Sequence, residues 1–363
     1  MGLSDPISRL LREGVQTGVF PGAVLYVRHQ GHICFHQAIG HTSSLPDAPT
    51  VQVDTVYDLA SLTKPLAIAS SLLLLFQSGR ASLTQTLATI LEETKDVPLG
   101  QVTLSDVLSH QSGLPAWRPF YQAFPPVLSS ELKSREQRML AVLEQILKEP
   151  IARTTSSISV YSDLGYMLLG FVVERVTGQS LDTFTQHQIF RPLQANALTF
   201  GIQDRKDKDV LKNIAPTEED SWRGHLIHGE VHDENAAALG GIAGHAGLFG
   251  TAEAVGQVTK AWLDSYLGKP SLFRQDVVRK FVKAQLGTNW GLGWDTPSQP
   301  SSSGQWFSPE SFGHLGFTGT SIWIDPVREL EVIFLSNRVH PTRDNQAIKT
   351  FRPKLHDAII EGL

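Results

Sequence analysis

A single cysteine, Cys34, in 363 residues rules out an intrachain disulfide framework, and its neighbours Ile33 and Phe35 point to a buried strand position. There is no basic surplus: a formal net charge of -5 offers no footprint for nucleic acid or an anionic membrane. Residues 1–20 carry Asp5, Arg9, Arg12 and Glu13 and lack the apolar core of a signal peptide. The expected location is therefore cytoplasmic, or periplasmic or secreted for a chain trimmed of its leader. The longest apolar run is too short for a convincing membrane span. No Gly-x-Ser-x-Gly elbow occurs, which counts against an α/β-hydrolase. His225, His228, His232 and Asp233 have no His-Glu-x-x-His frame and read as loop-packing residues, so neither metal nor cofactor is expected.

What remains is an ordinary composition, 41% hydrophobic and 18% charged, enough for one large or two closely packed domains. Ile7, Leu10, Leu11 and Val15 predict a helix over 4–17. Ala23–Arg28 and His32–Ile39 read as a hairpin turning at His29-Gln30-Gly31. Helices are expected at Val102–Leu108, Glu131–Lys148, Met167–Val176, Ala252–Leu267 and Ile348–Ile360. The β-rich stretch Phe312–Pro326 and the run Glu331–Ser336 read as two antiparallel strands joined at Asp325-Pro326-Val327-Arg328. Sheet-forming runs at both ends predict an α/β (α+β) fold: an antiparallel central sheet from both chain ends, flanked by helices, with a largely helical insertion. Residues 1–79 and 240–363 are expected to form the sheet domain, and 80–239 the insertion.

Three stretches carry chemistry. Ser61-Leu62-Thr63-Lys64-Pro65 places a hydroxyl and an amine three apart at the mouth of an apolar run reaching Phe76 and ending at Gly79. Read as a helix, with Pro65 tolerated only near its start, the run points Ser61 and Lys64 into the same space. A second Ser-x-x-Lys, Ser130 to Lys133, has no such helix behind it. Tyr161-Ser162-Asp163 again stands before an apolar helix, and His314-Leu315-Gly316 lies in a β-rich run. His245-Ala246-Gly247 repeats the His-x-Gly spacing inside the glycine-rich stretch 229–250 but has no strand after it, and His110 reads as a turn residue beside Ser112-Gly113.

In this order and with these flanks, the set resembles the serine β-lactamase and penicillin-binding-protein superfamily, in particular its class C-like branch of D-amino-acid peptidases and carboxylesterases. The likeness spans about residues 6–350. It implies that Ser61 attacks a carbonyl to form an acyl-enzyme, that Lys64 and Tyr161 handle the proton, and that the backbone N–H groups of Ser61 and Phe317 form the oxyanion hole. Asp163, His314, Gly316 and Thr318 are the implied substrate contacts. Two positions depart from the β-lactam-hydrolysing pattern: Asp163 stands where Asn is usual, and His314 where Lys is usual. Asp163 near Lys64 favours the ammonium and makes Tyr161 the base. His314 removes a permanent cation, so a neutral or cationic substrate is expected over an anionic one. The implied activity is hydrolysis of a small ester, amide or peptide, as a carboxylesterase or D-amino-acid amidase or peptidase with weak or no β-lactamase activity. The alternatives are a true β-lactamase or DD-peptidase, and a penicillin-recognising binding or scaffold protein.

Overall fold

The structure, a computed structural model, describes residues 4–124, 134–152, 159–202 and 211–363. The Ser130–Lys133 copy and the start of the helix expected from Glu131 lie outside the described residues.

The N-terminal hairpin forms as its sequence dictates. Strands β1 (Gly22–His29) and β2 (His32–Gly40) meet at Gln30 and Gly31, whose φ values of 51° and 81° make the left-handed pair that a two-residue hairpin requires. Three C-terminal strands, β3 (Phe312–Leu315), β4 (Ser321–Asp325) and β5 (Leu330–Ser336), complete an antiparallel sheet in the order β2-β1-β5-β4-β3. Both chain ends thus build one sheet, with β1 of the first hairpin paired to the last strand.

Side chains alternate faces along β1, and both faces are covered. Val24 and Tyr26 join the larger core under the helical body, while Ala23, Leu25 and Val27 face a second core with Ile7, Leu11, Phe351, Leu355 and Ile359 from the terminal helices Ser4–Gln16 and Ile348–Gly362. A strand buried on both sides is largely apolar, which is why Ala23–Val27 is a continuous hydrophobic run, and the buried Arg28 that follows is paired with Glu331 on β5 at 2.6 Å.

Two expectations are corrected. Cys34 is exposed, because β2 is the sheet's edge strand and its start, His32 to Cys34, lies open to solvent. The stretch 312–326 is not one strand but β3 and β4, broken by a tight turn over 316–320 in which Gly319 takes φ 123°. That turn is part of the site described next.

The apolar run after Ser61 is irregular at its start. A 3₁₀ turn (Ala60–Leu62) passes into a π-helical turn (Lys64–Ala69) and then into an α-helix (Ser70–Gln77). By length and composition Ala60–Gln77 could cross a membrane, but 78% of it is buried inside the protein, as in a core helix.

Candidate active site

Ser61 sits on a strained shoulder. Ala60 takes φ 47°, a region that costs a non-glycine residue about 1 kcal/mol or more. The bend is held from both sides: the Ala60 N–H donates to Asp58 Oδ1 (2.8 Å), and Thr63 Oγ1 donates to Ala60 O (2.6 Å). Asp58 is itself fixed by the His232 N–H at 2.6 Å.

Lys64 is fully buried, and its ammonium donates to Ser61 Oγ (2.9 Å) and His245 O (3.0 Å) and pairs with Asp163 Oδ1 (2.7 Å). The ion pair with Asp163 favours the charged form. Burial works against that charge, but Asp163 and then Tyr161 outweigh it and raise the Lys64 pKa.

The loop bearing Tyr161 is set by the helix Asp163–Thr177 behind it. Ser162 caps that helix, accepting from the Gly165 N–H at 3.2 Å, and its own N–H donates to His110 Nδ1 at 3.1 Å. His110 therefore fixes the tyrosine loop as well as its own turn, and its ring lies 4.5 Å from that of Tyr161. The Tyr161 hydroxyl interacts with both Lys64 and Ser61. Burial raises its pKa, and Lys64 only partly offsets this, so the resting form is the neutral phenol.

The turn between β3 and β4 closes the third side. Thr318 Oγ1 donates to Asp58 O (2.7 Å) and Thr320 Oγ1 to Leu59 O (3.1 Å), clamping the turn onto the serine segment. Gly316 is required there: a Cβ would stand 2.6 Å from Leu59 O and closer still to Thr320 Oγ1. Thr318, expected at the substrate, instead spends its hydroxyl on the main chain in a buried position. Phe317 is half exposed between the guanidinium of Arg338 (4.5 Å) and the stacked ring of His232 (5.6 Å).

Ser61, Tyr161 and Phe317 together line two lobes of one cleft, of about 430 and 410 Å³. The assembly of a serine hydroxyl, a buried ammonium and a tyrosine matches the chemistry of an activated nucleophile. The sequence model of the Beta-lactamase family matches residues 7–355. The chain belongs to the Beta-lactamase family.

Its relatives and neighbours are consistent with a serine hydrolase. The chain is 32% identical over 366 residues to the "N-acetylmuramyl-L-alanine amidase" of Bacillus subtilis (strain 168), covering 92% of this chain and 80% of that protein. It is 32% identical over 374 residues to the "Putative D-alanyl-D-alanine carboxypeptidase" of Escherichia coli (strain K12), covering 94% and 84%. Among solved structures, EstCE1, "a hydrolase with promiscuous acyltransferase activity", superposes with a TM-score of 0.75 at 19% identity over 98% of both chains. The octameric penicillin-binding protein homologue from Pyrococcus abyssi gives 0.73 at 20% identity over 96% of this chain and 77% of that one. These two likenesses speak for the fold alone.

In this member of the Beta-lactamase family the two lobes differ in charge. The first is lined by Trp117, Asp163, Asp233, Glu234, His245 and Arg343, whose charges are internally matched: Asp163 with Lys64, Asp233 with His245, Glu234 with Arg343. Asp163 is thus committed to Lys64 and is not a free anion awaiting a substrate amine. The second lobe is lined by Trp290, Asp295, His314, Gly316, Arg338, Lys349 and Arg352. His314 donates from Nδ1 to Leu315 O (2.8 Å), which leaves Nε2 as a lone-pair acceptor, buried and unpartnered. Burial, helped by Lys64, pushes its pKa down to about 3, so it is neutral. Asp295 has no cation beside it, and burial raises its carboxyl to about 7.

The cations that His314 does not supply come from elsewhere. Among the described residues the hydrogen bonds of Arg338 and Arg352 all go to backbone carbonyls: Arg338 to Phe317 O, Arg343 O and Asn345 O, and Arg352 to Gly316 O and Thr320 O. Neither they nor Lys349 form an ion pair with a carboxylate among the described residues. Burial, then Arg338, lowers the Arg352 pKa to about 9. Sequence reasoning missed all three, as well as Asp295, because none belongs to a motif and the fold alone gathers them.

Proposed function

We propose that this serine hydrolase cleaves an amide or peptide bond whose leaving amine carries a carboxylate, through an acyl-enzyme on Ser61. The observation that carries this is the cationic wall of the second lobe, where Arg338, Lys349 and Arg352 share a cavity with Ser61 and form no ion pair with a carboxylate among the described residues. A charge-assisted hydrogen bond to a bound carboxylate is worth about 1.5–3 kcal/mol, enough to override the anion bias lost at His314. The amidase and carboxypeptidase names of the relatives at 32% identity support the same bond class.

In this reading the reaction runs through the ionised fraction of Tyr161, whose phenolate takes the Ser61 proton as Oγ attacks the carbonyl. Lys64, held as an ammonium, steadies the ionising pair. The N–H groups of Ser61 and Phe317 receive the oxyanion, each worth roughly 3 kcal/mol on precedent. Tyr161 then protonates the departing amine, which leaves through the second lobe. The alternative leaving group is a neutral alcohol, favoured by the apolar side chains Trp290, Leu315 and Ile348 in the same lobe.

Matched N-acyl dipeptides with a free or an amidated C-terminus, and a p-nitrophenyl ester of the same acyl group, separate these readings. The free carboxylate is expected to give the highest kcat/KM relative to intrinsic reactivity. Equal rates on the free and amidated peptides would overturn the carboxylate reading. Loss of all turnover in Ser61→Ala is required of either.

A further inference from the structure

Phe317 enters the proposed mechanism only through its N–H, yet its side chain stands at the centre of the cleft. Three residues line both lobes, Ser61, Tyr161 and Phe317, and of these only Phe317 is widely open to solvent, at 48%. The turn over 316–320 puts it there. Thr318 and Thr320 are buried and spend their hydroxyls on Asp58 O and Leu59 O, while the ring between them in sequence lines the cavity.

The ring is held in place. The Arg338 guanidinium lies 4.5 Å from its centroid and donates from Nε to Phe317 O at 2.9 Å, and the His232 ring stacks on it at 5.6 Å with the planes 28° apart. The second support is itself anchored: the His232 N–H donates to Asp58 Oδ2 at 2.6 Å, and its Nε2 lies 2.9 Å from Glu218 Oε2. Cation–π contact and stacking fix the orientation of the ring, so little side-chain entropy is left to lose when a ligand covers it.

The first lobe gives the ring an apolar companion. Trp117 is 40% exposed, on a loop tied to the helix Asp163–Thr177 where Ala116 O accepts the Asp163 N–H at 2.8 Å. The other apolar lining is short, Ala60, Ala116 and Ala246. The charged groups of this lobe are already matched: Asp163 with Lys64, Asp233 with His245, and Arg343 with Glu218 and Glu234. One exposed aromatic on a surface means little, but two in a cavity whose charges are spent favour an apolar group over a charged one.

We infer that the Phe317 side chain, with Trp117, sets the acyl specificity of the Ser61 reaction, and that the first lobe takes an uncharged, apolar acyl group. This rests on the Ser61 acyl-enzyme and on the leaving group taking the second lobe, but not on the charge of that group. One residue then meets the acyl group twice: its N–H receives the carbonyl oxygen, and its ring covers the chain beyond the carbonyl carbon.

Hydrolysis of p-nitrophenyl esters of straight-chain acids, from acetate to hexanoate, by the full chain tests this with the leaving group held constant. Wild-type kcat/KM is expected to rise about two- to fourfold per added methylene, the upper figure being that of full burial. Phe317→Ala should lower the hexanoate-to-acetate ratio about tenfold or more, and Trp117→Ala about threefold. The ratio cancels any change in the oxyanion hole, whose donors are main chain. Phe317→Leu, which keeps an apolar side chain in the turn, carries the same readout with a fall of about threefold should the alanine variant not fold. Mono-p-nitrophenyl adipate and p-nitrophenyl 6-aminohexanoate match hexanoate in length but end in a charge, and the wild type should cleave each about tenfold more slowly. A flat wild-type profile, or faster cleavage of either charged ester, would overturn the inference. So would an unchanged ratio in the Phe317 variants, however far the absolute rates fall, since the ring is then a structural support only. Turnover that persists in Ser61→Ala would overturn the Ser61 reading and this one with it, whereas equal rates on the free and amidated peptides would leave the acyl profile standing.

Discussion

The two lobes that share Ser61, Tyr161 and Phe317 use charge in opposite ways. In the first, Lys64 faces Asp163, His245 faces Asp233, and Arg343 bridges Glu218 and Glu234. In the second, Arg338, Lys349 and Arg352 form no ion pair among the described residues, Arg338 feeling Glu218 only at a distance, and burial rather than a neighbouring charge sets the state of Asp295. A buried charge with a partner is fixed in place, and its cost of desolvation is already offset within the fold. A charge held only by carbonyl dipoles keeps part of its electrostatic attraction unspent, ready for a ligand. Matched charge holds groups in place, and unmatched charge is what the proposed carboxylate recognition draws on.

The sharpest way to break this contrast is at the wall both lobes share. Tyr161→Phe is expected to lower kcat about 10³-fold on every substrate, whatever its leaving group, which steady-state kinetics on esters and peptides would show. In the matched lobe, Lys64→Met strands Asp163 and should cost about 3 kcal/mol of stability in urea unfolding, besides abolishing acylation. In the unmatched lobe, Lys349→Glu should raise KM about tenfold for a carboxylate-bearing peptide and leave its amidated twin unchanged, with no fall in Tm, since no folded-state partner is lost.

Two pH tests are finer. Because the Tyr161 pKa lies above its ordinary value and the phenolate is the accepting form, kcat/KM should climb through the alkaline range, and lose that limb in Tyr161→Phe. Asp295 carries a folded pKa of about 7 against an unfolded value near 3.8, so the folded state retains a proton that the unfolded chain releases. Stability from this group is therefore whole below pH 3.8 and falls as pH rises toward about 7. Asp295→Asn removes the ionisation and keeps the acceptor for the Thr296 N–H, so its Tm should exceed the wild-type value at pH 8 and match it at pH 4, read by thermal melts.

Much of the fold was written in local pattern. The hairpin of β1 and β2 follows from two β-rich runs around Gln30-Gly31, and the terminal strands follow from runs such as Glu331–Ser336, whose residues are all buried. The division of 312–326 was not legible, because Phe317, Thr318 and Thr320 have strand-like propensities and only the clamp onto Asp58 and Leu59 turns the chain there. The start of the buried run was also misread as regular helix, since nothing local announces the 3₁₀ and π-helical turns imposed by the bend at Ala60. Within the site, Ser61, Lys64, Tyr161 and His314 stood out because the spacing of short motifs is a local property. Asp295, Arg338, Lys349 and Arg352 did not, because their meaning lies in having no counter-charge nearby, which is a fact of three dimensions.

The clamp at Gly316 has a bearing on how the protein comes to life during synthesis. Ser61, the proposed nucleophile, and Lys64 emerge from the ribosome early, on a helix that needs partners from much later in the chain. The proposed second oxyanion donor, Phe317, belongs to a turn that is locked only when Thr318 and Thr320 reach the serine segment and Arg352, on the last helix, grips Gly316 O and Thr320 O. On the proposed reading, a growing chain carries Ser61 without the means to use it. Hydrolytic competence should arrive abruptly, when the helix Ile348–Gly362 docks.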